Sequence, residues 1–162
     1  MIRISRQTDY AARLVLHLAC LGEGGTASIA DIARERQLPL PFVRRLVAAL
    51  VGAGILKTTR GNQGGVALSR PASKISLGNL VTAMEGPIAL NECVHSPAAC
   101  PFGQRCPVQK SWTDISDALA KQLEAIRFDA LVKSSRAHAT AHASIQVTKN
   151  KAIRPRRVAK PQ

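Results

Sequence analysis

Aromatic residues are almost missing from this chain: one Trp, one Tyr and three Phe make up 3% of its 162 residues. An aromatic-rich sandwich core is disfavoured, so the interior has to rest on Leu, Val, Ile and Ala, which suits packed helices. Acids are scarce as well, ten against 23 Lys and Arg, for a net charge of +13. No apolar run approaches the roughly 20 residues that span a bilayer. The opening "MIRISRQTDY" carries no apolar segment placed like a signal peptide, so a cytoplasmic protein that does not engage the membrane is expected. Disulfide staples are disfavoured there, and clustered cysteines more often bind metal or sense redox state. No Ser/His/Asp or paired-carboxylate arrangement converges, so an enzyme is not expected. The length suits one domain with a real core, or a small domain plus an attached element.

What is present is distributed unevenly. Residues 1–76 hold eleven Lys and Arg against four acids, residues 77–132 four against six, and residues 133–162 eight against none. Two basic blocks around a mildly acidic one predict a double-stranded DNA surface in the first block. The tail then adds non-specific attraction through counterion release.

Periodicity supplies the elements. "SRQTDYAARLVLHLACLG" places Tyr10, Leu14, Val15, Leu18 and Leu21 on one helical face. "SIADIARERQ" starts a second helix at Ser28, with Asp31 as a capping-box-like acid and Ile29, Ile32 and Ala33 inward. A third helix starts at Pro41, with Phe42, Val43, Leu46, Val47, Ala49 and Leu50 on one broad face and Arg44, Arg45 and Ala48 on the other. Short helix, tight turn and a helix with two outward arginines form a helix-turn-helix pattern. "ILKTTRGNQGGVALS" follows as two short strands around a glycine-rich tip, a basic hairpin placed as a wing. Its tip lacks the Lys-Ser/Thr ending of a nucleotide-binding loop. Arg60, Gly61, Asn62, Gln63 and Gly64 are expected at the phosphates and minor groove, and Arg44 and Arg45 at base edges.

The fold class expected is therefore mainly α with a small β-hairpin wing: a winged helix-turn-helix over 1–76, then a connecting helix, a cysteine loop and a long helix over 77–132. The remainder, 133–162, lacks periodicity and is expected to be a disordered basic tail. In the long helix Val108, Trp112, Ile115, Leu119, Leu123 and Ile126 form a stripe about five turns long. Little of the chain is left to cover that stripe, which predicts pairing with the same helix of a second subunit, a homodimer.

Cys20 lies among apolar residues and reads as a core thiol, whereas Cys93, Cys100 and Cys106 crowd the window "NECVHSPAACPFGQRCPVQ". Both gaps exceed the two-to-four residues common within a zinc-ligand pair, and a looser loop suits a larger object such as an iron-sulfur cluster. Alternatives on the residues alone are a zinc site completed by His95, a thiol-disulfide switch, a cluster-free nucleoid-associated DNA binder, or spectator thiols.

The tip "RGNQGG", the phrase "LSRPASKISLGNLVTAMEG" and the three-cysteine loop ahead of a long helix resemble the Rrf-type winged-helix iron-sulfur regulators (IscR, NsrR and RirA-like). The resemblance covers about residues 1–132. It implies a homodimeric transcription factor whose [2Fe-2S] or [4Fe-4S] cluster on Cys93, Cys100 and Cys106 reports nitric oxide, redox state or iron, and a repressor or dual regulator is expected. IscR-like members supply a histidine three residues after the third cysteine, where this chain has Gln109. NsrR-like members carry an aspartate early in the first helix that ligates the partner's cluster, and Asp9 matches it. As a bare residue, Asp9 reads equally as an acid stabilised by the helix dipole.

Overall fold

The computed structural model describes residues 3–59, 65–102 and 105–137. Helix α1 (Arg6–Cys20) begins where the hydroxyl of Ser5 accepts the Thr8 amide at 3.2 Å, satisfying one of the orphan donors of a helix start. Helix α2 (Ile29–Glu35) begins at Ser28, whose hydroxyl accepts from the Asp31 amide at 3.0 Å and donates to the Asp31 carboxylate at 2.7 Å. The Asp31 side chain thus meets the Ser28 hydroxyl, where a full capping box would have it meet the backbone amide. Gln37, at φ 53°, donates to Arg34 O while the Leu38 amide donates to Ala33 O. This paired closure ends α2 and makes the turn into the next helix. Helix α3 (Leu40–Gly52) starts one residue before Pro41. It closes in the same way, with Gly54 at φ 67° donating to Val51 O and Ile55 to Leu50 O.

The wing follows at once. Strands β1 (Leu56–Thr59) and β2 (Gly65–Leu68) pair antiparallel, Leu56 opposite Leu68 and Thr59 opposite Gly65. Ala27 adds an edge by exchanging both backbone hydrogen bonds with Val66, at 2.9 and 3.1 Å. A Cβ on Gly65 would lie 2.8 Å from the Ala27 carbonyl, so this close approach requires glycine.

Beyond a 3-10 turn at Ala72–Lys74, helix α4 (Leu77–Glu85) has a complete capping box between Ser76 and Asn79. A single turn, α5 (Glu92–His95), and a 3-10 turn, Pro97–Ala99, carry the cysteine segment into α6 (Pro107–Ala125). A last helix, α7, covers 128–137. It takes the first five residues of the stretch expected as disordered tail; residues 138–162 lie outside the described residues.

One continuous core joins these elements. Leu14 and Leu18 of α1, Ile32 of α2, Leu46 and Leu50 of α3, Leu56 of β1, Leu80 of α4 and Phe128 of α7 are all fully buried in it. Each such side chain contributes about 1.5–3 kcal/mol by leaving water. The core runs across the boundary expected at residue 76, because α7 returns to the winged region. Ile75–Leu77 and Ile126–Phe128 are zipped together by Leu77 N to Ile126 O at 2.8 Å and Phe128 N to Ile75 O at 3.0 Å. Two residues expected inward, Leu21 and Ala49, are exposed. Leu21 is the C-cap of α1, past the last helical turn.

Candidate functional site

Helix α3 has two clean faces. Val43, Leu46, Val47 and Leu50 are buried, while Arg44, Arg45 and Ala48 face solvent. The guanidinium of Arg45 lies 5.9 Å from the centre of the Phe42 ring, and Phe42 meets Tyr10 edge to face at 5.7 Å. The arginine stem is therefore supported on an aromatic platform while its charged head stays in water. At the wing, Thr59 Oγ1 accepts the Gly65 amide at 3.1 Å and donates to the Gly65 carbonyl at 3.2 Å, closing the base of the tip. Arg60, Gly61, Asn62, Gln63 and Gly64 lie outside the described residues. A short helix, a turn and a helix with outward arginines, backed by a hairpin, is the arrangement of a winged helix-turn-helix.

The cysteine segment is pinned from α6. Gln109, only 7% exposed, donates its Nε2 to the Cys93 carbonyl at 2.6 Å. Ser116, 1% exposed, accepts the Leu90 amide at 3.1 Å and donates to Trp112 O at 2.7 Å. Sequence reasoning treated Gln109 only as a missing histidine. In the structure it is a buried tether in the first turn of α6, a role that no signal in the sequence marks.

Cys93 sits in α5, Cys100 follows the Pro97–Ala99 turn, and Cys106 is the N-cap of α6. All are free thiols of intermediate exposure, and so is Cys20, which packs at the edge of the core. Among the described residues no group of three or more His, Cys, Asp or Glu side chains is gathered as a metal cage. The three thiols and His95 share one segment without converging. Asp9 stands in the first turn of α1 with a half-exposed side chain, ion-paired to Arg13 at 2.9 Å. The donor types still fit an iron-sulfur group: three soft sulfur ligands and the His95 imidazole on one irregular segment, with the Asp9 carboxylate exposed on α1.

Next to Asp9, an unforeseen tie joins α1 to α4. Glu85 accepts from Thr8 Oγ1 at 2.6 Å and from the Ser5 amide at 2.9 Å, and these bonds hold its carboxyl below the usual carboxylate range. Between α1 and α2, burial and then the facing Arg36, whose Nη2 lies 2.9 Å from His17 Nδ1, push the His17 pKa down.

Helix α6 turns large apolar side chains outward. Val108 is 57% exposed, Ile115 50%, Ile126, just past its end, 38% and Trp112 37%. These apolar side chains are left uncovered by the described residues. Among the described residues no helix is long and apolar enough to cross a membrane.

Comparison with known proteins places these features in context. The family described as "Rrf2: Iron-dependent Transcriptional regulator" matches residues 4–134. Protein aau3 of Rhizobium meliloti is 33% identical over 134 residues, 82% of this chain and 86% of that one. The HTH-type transcriptional regulator IscR of Escherichia coli is 28% identical over 133 residues, 82% of each chain. Among solved structures, CymR, the global cysteine regulator of B. subtilis, superposes with a TM-score of 0.68 at 26% identity, covering 83% of this chain and 98% of that one. IscR of T. potens does so with a TM-score of 0.65 at 25% identity, covering 83% and 88%. IscR and CymR are regulators, not enzymes, and the fold of this chain is their winged helix-turn-helix. With the match running from the first helix through the last, this chain belongs to the Rrf2 family of iron-dependent transcriptional regulators.

Proposed function

We propose that this chain is a cytoplasmic, homodimeric DNA-binding repressor whose grip on its operator depends on an iron-sulfur cluster held by Cys93, Cys100 and Cys106. The observation that carries the reading is the placement of the three free thiols. They lie on one segment between the winged region and α6, and that segment is tied to α6 by Gln109 and Ser116. When bound, the cluster supplies a centre that reacts with nitric oxide or oxygen and is lost when iron is short. The chain's own residues do the rest. Arg44 and Arg45 read base edges, Arg60 and the wing glycines through Gly64 meet the minor groove and phosphates, and α6 pairs with its copy. Asp9, exposed at the start of α1, reaches across the dimer as a fourth ligand. The basic tail adds sequence-independent attraction.

Anaerobic purification with visible absorption and iron and sulfide assays tests the cofactor. Equal iron and sulfide on the wild type, lost in Cys93→Ala, is the expected result; a colourless protein with stoichiometric zinc overturns it. Because α7 runs to residue 137, truncation after residue 137 tests the tail: site preference stays and only non-specific affinity falls.

A further inference from the structure

Arg70, Asn79 and Glu124 connect parts of the chain that are remote in sequence. Gly54, which closes the recognition helix α3 and opens the wing, has its carbonyl bound by Arg70 Nη1 at 2.8 Å and by the Ser69 hydroxyl. The same guanidinium donates through Nε to Lys74 O at 3.1 Å and through Nη2 to Asn79 Oδ1 at 3.2 Å. Asn79 passes the connection on, its Nδ2 donating to Glu124 Oε2 at 3.2 Å. The Glu124 carboxylate also accepts from the fully buried Ser76 hydroxyl at 2.5 Å and pairs with Arg127 at 3.3 Å. Gly78 lets the helices come this close, since a Cβ there would lie 2.8 Å from Glu124 Oε2 and 3.0 Å from the Glu124 amide. The end of α6 is thus linked by charge-assisted hydrogen bonds to the C-terminal end of α3 and the root of the wing.

We propose that Arg70, Asn79 and Glu124 form a polar strut that fixes the recognition helix at a set angle to α6. In a dimer paired through α6, the strut then sets the distance between the two recognition helices. The three are positioning residues, none of which needs to touch a base. The inference rests on the reading of α3 as the DNA-reading helix and α6 as the dimer helix. Its physical basis is geometry: a planar guanidinium with three acceptors and a carboxylate with three donors tolerate little reorientation. Half-sites lie at spacings set by the duplex, so loosening the strut loosens spacing discrimination.

The test uses the full chain and a duplex selected by the wild type from a random-sequence library, with variants whose half-site spacing differs by a single base pair, about 3.4 Å along the axis. Glu124→Gln removes a negative charge, which by electrostatics alone tightens DNA binding. The strut predicts the opposite: about ten-fold weaker binding to the selected duplex, reduced preference between spacers, and unchanged binding to random DNA. Arg70→Lys keeps the charge, loses the fork and is expected to do the same, and the double variant is expected to be no worse than either single one. A lowered Tm with intact affinity and spacer preference makes the cluster a plain structural tie and overturns the proposal. Arg44→Ala is run alongside. If it abolishes sequence preference while Glu124→Gln changes nothing, the strut falls and the reading of α3 stands; if Arg44→Ala also changes nothing, both fall.

Discussion

Helices α3 and α6 solve opposite problems with similar amphipathic sequences. In α3 the buried side chains are Val43, Leu46, Val47 and Leu50, and the arginines are outside. In α6 the buried side chains are Gln109 and Ser116, while Val108, Trp112 and Ile115 face water. Helix α6 buries two polar side chains and leaves three large apolar ones uncovered by the described residues, among the charged residues Lys110, Asp114, Asp117 and Lys121. The contrast separates a helix finished by its own core from one that holds a loop with its inner side and leaves apolar side chains outside, the face proposed above for pairing with a second copy.

The largest effect tests the first half of the contrast. Leu46→Ala removes fully buried volume and is expected to cost about 2–5 kcal/mol, read by denaturant unfolding. Trp112→Asp is expected to leave the unfolding of the monomer nearly unchanged but to weaken self-association by at least about 2 kcal/mol, read by sedimentation equilibrium. If Trp112→Asp instead unfolds the chain as Leu46→Ala does, the contrast collapses. Gln109→Leu leaves the Cys93 carbonyl without its donor and is expected to loosen the cysteine segment by about 1–3 kcal/mol, read as faster hydrogen exchange over residues 91–96 with the α3 amides unaffected.

Smaller effects sharpen the picture of the winged region. Gln37 occupies a left-handed position where glycine has no Cβ penalty, so Gln37→Gly is expected to raise stability by a few tenths to about 1 kcal/mol. The mildest is pH. His17, Glu85 and Asp31 all have lowered folded-state pKa values, His17 by burial and Arg36, Glu85 by Thr8 and Ser5, Asp31 by Ser28 and Arg34. For each, the unfolded chain takes up a proton first as pH falls. Their stabilisation is complete above the ordinary histidine value, about 6.5. It is lost from His17 first and then from the two carboxylates at lower pH. Thermal melts from pH 8 to 2 check the order, with His17→Asn removing the first step.

Much of this fold was legible because local rules agreed with each other. Ser28 and Ser76 cap helices, Arg44 and Arg45 fall outside while Val43 and Leu46 fall inside, and of the stripe expected on α6 Val108, Trp112, Ile115 and Ile126 are exposed while Leu119 and Leu123 are half-buried. What was not legible depends on chain segments meeting. "RFDALVK" reads as a short trailing helix, yet Phe128 is among the largest fully buried side chains, because residues 126–128 zip onto residues 75–77. Likewise Glu85 and Glu124 look like ordinary surface acids until Thr8, Ser76 and Asn79 arrive beside them. Of the candidate site, residue types and spacing were readable; the tether from Gln109 was not, since glutamine has no fixed preference for a buried carbonyl.

The most direct test of the account is operator footprinting on anaerobically prepared protein before and after chelation of its iron, with Cys93→Ala in parallel. The account expects wild-type protein with equal iron and sulfide to protect two half-sites, to change that protection when the iron is removed, and to match Cys93→Ala afterwards. A footprint that is the same with and without iron, and the same in Cys93→Ala, contradicts it.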